Sequence, residues 1–200
     1  MSRSAGPVIR DSGRLRIIGG RFRGRKLPVP AQSGLRPTAD RVRETLFNWL
    51  QPVIEGSRCL DLFAGSGALG FEAASRGAAQ VLMIERSERV ARMLQVNARI
   101  LGATQVRIHR EDTLRWLNGH PEPFDVVFLD PPFDGDLLGR TCALLCTKDW
   151  LAPQARVYLE APAGRALPVL PASWTLIRDK RAGQVRFALA TVHDEGAAVR

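Results

Sequence analysis

Little in this chain supports disulfide, metal or membrane chemistry. Cysteine is scarce and odd in number, at Cys59, Cys142 and Cys146, which argues against a disulfide framework and for reduced, structural thiols. Cys142 and Cys146 fall four apart beside Leu145, on one face of an expected helix, a spacing that reads as packing. With only three histidines in the chain, a metal site lacks ligands, and none is expected. The longest apolar runs are strand-sized, well short of the ~20 residues a membrane helix needs. The N-terminus has no apolar stretch of the kind a secretory signal carries. A cytoplasmic protein with no membrane partner is the expectation. No internal repeat, heptad pattern or low-complexity segment stands out, and no extra apolar helix face asks for a second copy, so a monomer is expected.

What is present suits one globular domain with an appendage. The 200 residues are 45% hydrophobic and 24% charged, an ordinary balance with enough chain for a real core. The charge is unevenly placed. Residues 1–50 hold 11 Lys and Arg against 3 Asp and Glu, whereas residues 51–200 hold 18 against 17. A nearly neutral body with a basic front end suggests a polyanionic partner, most simply nucleic acid, over a merely solvated tail.

That front end carries structure signals. Residues 1–13 lack periodicity and are expected to be mobile. An extension follows over 14–52, then the main domain over 53–192 and a frayed tail over 193–200. Arg14 to Ile18 and Arg21 to Leu27 alternate on either side of Gly19-Gly20, which reads as a β-hairpin. Pro28 and Pro30 are expected to end it. Its polar positions are almost all arginine, with Phe22 between two of them, and guanidinium groups both pair with phosphate and stack on bases. Thr38 is a plausible N-cap and Asp40 suits a first turn, so a helix is expected to run to about Gln51. Val42, Leu46, Trp49 and Leu50 form its docking stripe, with Trp49 read as core and Arg41, Glu44 and Asn48 on the other face. Arg21, Arg23, Arg25 and Lys26, with Arg36, Arg41 and Arg43 beyond the hairpin, are the candidate nucleic-acid contacts.

From Arg58 onward strand and helix patterns alternate. Strands are expected near 58–63, 81–85, 105–109, 124–130 and 155–160, and helices near 67–77, 87–101, 112–118 and 136–147. The alternation implies an α/β, mostly parallel, doubly wound sheet with helices on both faces. Residues 174–178 and 184–190, turning near Gly183, add an antiparallel C-terminal strand pair. Two motifs fall at carboxyl ends of expected strands, where such sheets bind ligands. Asp61-Leu62-Phe63-Ala64-Gly65-Ser66-Gly67 is one, and Asp130-Pro131-Pro132-Phe133 is the other.

Gly65-Ser66-Gly67-Ala68-Leu69-Gly70 fits a dinucleotide turn as well as any other nucleotide-type turn. Glu85, followed by Arg86, adds a carboxylate where a ribose would lie, although it could equally pair with an arginine. Asp61 would repel a pyrophosphate and suits a cationic amino-acid ligand. Glu111-Asp112 follow the third strand, with Asp112 placed either to accept from an adenine amine or to cap a helix. A ligand with ammonium, sulfonium, ribose and adenine fits this set, namely S-adenosylmethionine. Phe63, Ala64, Gly65 and Gly67 complete the expected cofactor site.

These motifs resemble the Rossmann-like class I methyltransferases, and Asp130 to Phe133 resembles the (N/D)-P-P-(F/Y/W) motif of their amino-group enzymes. Arg16-Ile-Ile-Gly-Gly, Gly24 to Pro28, Leu35 to Thr38, Asp40 to Trp49 and Ala182 to Val185 narrow the resemblance. They are similar to the bacterial small-subunit ribosomal RNA guanine-N2 methyltransferases, a likeness covering about residues 14 to 190. It implies methylation of guanine 966 of 16S ribosomal RNA, with the assembling small subunit as partner. Asp130 and the Pro131 carbonyl would accept the two N–H bonds of a base amine, Pro132 would stiffen the turn, and Phe133 would stack on the extruded base. The alternatives are a tight turn with Phe133 in the core, a DNA or protein-glutamine acceptor, a non-catalytic RNA-binding factor, and an NAD oxidoreductase.

Overall fold

The computed structural model describes residues 11–30, 40–133 and 136–193. Two short antiparallel strands come first, β1 (Asp11–Arg16) and β2 (Lys26–Pro30), followed by helix α1 (Asp40–Leu50). The main domain runs β3 (Arg58–Asp61), α2 (Ala68–Ser75), β4 (Gln80–Ile84), α3 (Glu88–Leu101), β5 (Val106–His109), α4 (Thr113–Trp116), β6 (Phe124–Leu129), α5 (Leu137–Thr147), β7 (Leu151–Pro162), β8 (Trp174–Ala182) and β9 (Val185–Val192). Every strand and helix expected from Arg58 onward is present. Strand β7 is longer than expected because it pairs on both sides, parallel to β6 and antiparallel to β9.

The seven strands lie in the order β5-β4-β3-β6-β7-β9-β8. The chain runs outward from β3 to β4 and β5, then returns across β3 to place β6 on its other side, all in parallel. That reversal opens a crevice at the carboxyl ends of β3 and β6, where both motifs fall. One face of the sheet carries Cys59, Met83, Phe128, Tyr158 and Phe187, packed with residues of α1, α2, α3 and the N-terminal strands. The other carries Leu60, Ile84, Val127, Leu129 and Leu159, packed with Leu117, Cys142 and Leu145. The central strands β3, β4 and β6 are therefore buried on both faces, as a parallel sheet requires. Cys59, Cys142 and Cys146 are free thiols. Among the described residues no helix is long and apolar enough to cross a membrane.

The hairpin departs from expectation. It does not turn at Gly19-Gly20; β1 starts at Asp11, and Leu15 pairs with Leu27 and Arg16 with Lys26 around a wide connection. Backbone groups that a tight turn would use are bound elsewhere. Ile18 N and Gly19 N both donate to the Glu72 carboxylate at 2.8 Å, Arg21 N donates to Ser75 O at 2.7 Å, and Phe22 N to Ser75 Oγ at 2.8 Å. Residues 18–22 thus dock on α2. Gly20 sits there at φ +71°, where a Cβ would meet Ser75 O at 1.9 Å, so only glycine allows this approach. Phe22 is buried, not presented between arginines. Pro28 and Pro30 lie inside β2, tolerated on a short edge strand.

Helix α1 buries Val42, Arg43, Leu46, Phe47 and Leu50. Trp49 is half-buried and stacks on Phe187, 5.3 Å between centroids. Arg41, Glu44 and Asn48 are exposed, as the spacing predicts. The expected N-cap Thr38 lies outside the described residues.

Candidate active site

The first motif forms a capped turn. Asp61 ends β3 and is only 1% exposed, and its Oδ2 accepts from Gly70 N, 3.1 Å away in α2. Burial pushes its pKa up to about 7, against the pull of the Gly70 and Phe63 N–H groups; the nearby Glu85 carboxylate adds to the rise. Glu85 follows β4 and bridges the turn. Its Oε2 accepts from Gly65 N at 3.0 Å and its Oε1 from Ser87 N at 2.7 Å. Gly67 caps α2 at φ +79°, and a Cβ there would lie 2.5 Å from the Phe71 ring. Ala64 N donates to Ile84 O, Phe63 is half-buried, and Arg86 is exposed.

This bonding discriminates between cofactors. A helix N-terminus ordinarily offers free N–H groups to an anion. Here Gly65 N, Gly67 N and Gly70 N already donate to Glu85, Ala64 O and Asp61. Those three donors are thus taken up within the turn and not offered to a pyrophosphate, and the carboxylates that take them suit a ligand bearing a cation and hydroxyls. At the end of β5, Glu111 lies 3.4 Å from Arg115 Nε, and Asp112 caps α4. Both of the Asp112 cap bonds, from Leu114 N and Arg115 N, use Oδ1, and Oδ2 takes no part in the cap. Thr113 Oγ1 donates to Leu62 O at 2.5 Å and fixes this segment against the first motif.

Across the crevice, β6 ends at Leu129 and delivers the second motif. Asp130 is half-buried, Pro131 buried, Pro132 exposed and Phe133 37% exposed. That exposure removes the reading of Phe133 as a core residue. Its carbonyl accepts from Arg165 Nη1 at 3.3 Å. A cleft of about 100 Å³ beside the motif is lined by Phe133, Leu138, Glu160, Pro162 and Arg165, among others.

Sequence reasoning missed Glu160, Tyr158 and Glu72. Tyr158 is fully buried, and its hydroxyl donates to Glu160 Oε2 at 2.6 Å. The parallel register pairs Leu129 with Leu159, so Asp130 and Glu160 stand one step beyond on neighbouring strands. Counting both strands back from their ends would have exposed that pairing. Glu72, fully buried in α2, holds the backbone of Ile18 and Gly19 and pairs with Arg76 Nε at 2.8 Å. Nothing in the local pattern marked it.

The basic residues divide. Arg21, Arg23, Arg25, Lys26 and Arg41 are exposed; Arg36 lies outside the described residues. Arg43 is corrected: it is 1% exposed, bonds Arg16 O and Asp40 Oδ1, and lies 3.7 Å from Glu72. It shares the α1 stripe that faces the body, so it is a buried tie between elements. Arg21 and Arg25 sit by Ser75 and Ile100, at the carboxyl ends of α2 and α3. The crevice lies at the opposite ends of those helices, ~12 and ~21 Å away by their lengths.

The sheet order, the capped glycine turn and the Asp-Pro-Pro-Phe turn facing it define a class I methyltransferase fold. The chain belongs to the family described as conserved hypothetical protein 95, whose model matches residues 15–191. It is 51% identical to Ribosomal RNA small subunit methyltransferase D of Escherichia coli K12, across 89% of this chain and 90% of that protein. The Haemophilus influenzae protein of the same name is 47% identical, across 88% and 93%. A solved Escherichia coli structure, yhhF, described as a methyltransferase, superposes with a TM-score of 0.86 at 48% identity, covering 90% of this chain and 99% of that one.

Proposed function

We propose that this protein methylates small-subunit (16S) ribosomal RNA on the exocyclic N2 amine of a guanine, with S-adenosylmethionine as donor. The resemblance points to guanine 966, with the assembling subunit as partner. The observation that carries the chemistry is the half-buried Asp130 carboxylate beside an exposed Phe133, facing a glycine turn whose helix N-terminus is already capped by Asp61. The names of the relatives carry the choice of RNA.

Glu85 would hold the ribose hydroxyls, Asp112 Oδ2 the adenine amine, and the Phe63–Gly67 turn the amino-acid end. When bound, the donor supplies a methyl group made electrophilic by its sulfonium. Phe133 stacks on the extruded guanine. Asp130 and the Pro131 carbonyl each accept one amine hydrogen, which draws the nitrogen lone pair out of conjugation and aims it. As the N–C bond forms, the S–C pair returns to sulfur and one amine proton leaves towards Asp130. Attack by a neutral amine on a cationic donor creates no new net charge, so positioning in a water-poor site carries most of the acceleration.

The test incubates the purified chain and labelled S-adenosylmethionine separately with small-subunit particles, naked 16S RNA, DNA and protein. Label in RNA, recovered as N2-methylguanosine after digestion, is expected. Label in DNA or protein alone, or in another nucleoside, would overturn the assignment.

A further inference from the structure

We propose that Glu160 reads the acceptor base, accepting the N1–H of guanine beside the amine that Asp130 holds; the inference rests on the guanine-N2 reading above. Glu160 is 5% exposed, lines the cleft next to Pro131 and Phe133, and stands across the parallel register from Asp130. Its Oε2 is held by the Tyr158 hydroxyl, and among the described residues Oε1 has no hydrogen-bond partner. Oε1 is not one of the buried unmatched polar atoms; it is reached from the cleft that Glu160 lines and can accept from a ligand N–H there.

Guanine supplies that donor in the right order. Its Watson–Crick edge presents N1–H directly beside the N2 amine, so two neighbouring carboxylates and one carbonyl match three N–H bonds. Adenine presents an unprotonated N1 there and would set a lone pair against the carboxylate. Tyr158 keeps Glu160 an acceptor. Burial holds the phenol well above its usual range, reinforced by the Glu160 and Asp130 charges, so it stays a donor. Burial also pushes Glu160 up, and the bond from Tyr158 opposes that rise. A site built to bind a ligand N–H rejects an analogue that lacks it far more strongly than an apolar pocket rejects a missing methylene.

The experiment measures single-turnover methylation by the full chain on small-subunit RNA carrying guanine or 2,6-diaminopurine at the acceptor position. Both bases have the N2 amine, but 2,6-diaminopurine has an acceptor at N1. The parent should prefer guanine by roughly 100-fold or more. In Glu160→Gln the amide oxygen pairs with Tyr158, leaving the NH₂ facing the cleft as a donor. That variant should lose about 10-fold or more on guanine and gain on 2,6-diaminopurine, narrowing or reversing the preference, with S-adenosylmethionine affinity within about twofold of the parent. Tyr158→Phe keeps the carboxylate but frees it, and should lower the guanine rate while retaining the order of preference. If Glu160→Gln, folded by circular dichroism and binding the donor, keeps the parent preference, Glu160 does not read the base. If it does not fold, an unaltered rate and preference in Tyr158→Phe overturns the proposal. If the parent makes a nucleoside other than N2-methylguanosine, the reaction assignment fails first.

Discussion

Asp130 and Asp61 are both carboxylates at strand ends, but their surroundings give them different work. Asp130 is half-buried at the crevice, and we expect Asp130→Ala to remove methyl transfer while calorimetric affinity for S-adenosylmethionine changes little. Parent-like single-turnover rates in that variant would reduce the motif to a structural turn. Phe133→Ala should lose about 1–3 kcal/mol of base stacking, and Phe133→Tyr much less. Asp61 instead faces inward. Its carboxyl binds a proton more tightly in the folded chain than in the unfolded one, with a pKa raised from 3.8 to about 7. Between those values the native state holds the extra proton, so this contribution to stability is complete below the lower value and fades as pH rises through the upper. In ligand-free protein the stability of Asp61→Asn relative to the parent should therefore rise from about pH 5 to about pH 8, measured by urea unfolding. A difference independent of pH would mean that Asp61 is ionised throughout that range.

Elements are tied together chiefly at α2. Its amino end carries the glycine turn, and its Glu72 binds residues 18–19 of the extension and Arg76 while lying 3.7 Å from Arg43 of α1. Among the described residues Arg43 Nε and Nη1 have no hydrogen-bond partner, so Glu72 is the carboxylate that offsets this buried cation from within the core. Glu72→Ala leaves that charge with the half-exposed Asp40 as its remaining carboxylate and strands two backbone N–H groups. We expect a loss of about 3–5 kcal/mol, as when one partner of a buried pair is removed, with a lower urea midpoint. The double variant Glu72→Ala/Arg43→Met should recover part of it. If the double variant is no better than the single one, the two charges are not coupled.

On the scale of the whole molecule, the basic front end is part of the body. Leu15, Ile17, Phe22, Leu27 and Val29 are buried in the same core as α1, α2 and α3. Deleting residues 1–30 would therefore unfold the protein rather than only weaken its hold on RNA. The contribution of this charge to RNA binding is read on the exposed side chains. Arg21→Glu with Arg23→Glu should weaken RNA binding and flatten its salt dependence, by a slope change of roughly one per lost phosphate contact, while S-adenosylmethionine affinity stays at the parent level. RNA affinity indifferent to salt in the parent would mark these arginines as solvated surface. Because they lie a helix length from the crevice, any RNA they hold must extend well past the methylated base.

The sequence by itself determined what depends on local periodicity and on strand ends. The alternation from Arg58 onward implied a parallel sheet, and chain order alone put Asp61 and Asp130 at carboxyl termini, where a right-handed crossover leaves a crevice. Asp112 as a helix cap and Trp49 as packing were legible for the same reason. Only the tertiary structure decided which polar groups turn inward. Arg43 looked like one more member of a basic run, because a carboxylate from α2, 29 residues on, is what lets a guanidinium be buried. The hairpin turned in another place because Glu72 and Ser75 took the backbone donors of residues 18–22. Glu160 was invisible for a related reason: its partner Tyr158 is two residues away, but its meaning comes from Asp130, which only strand pairing brings alongside.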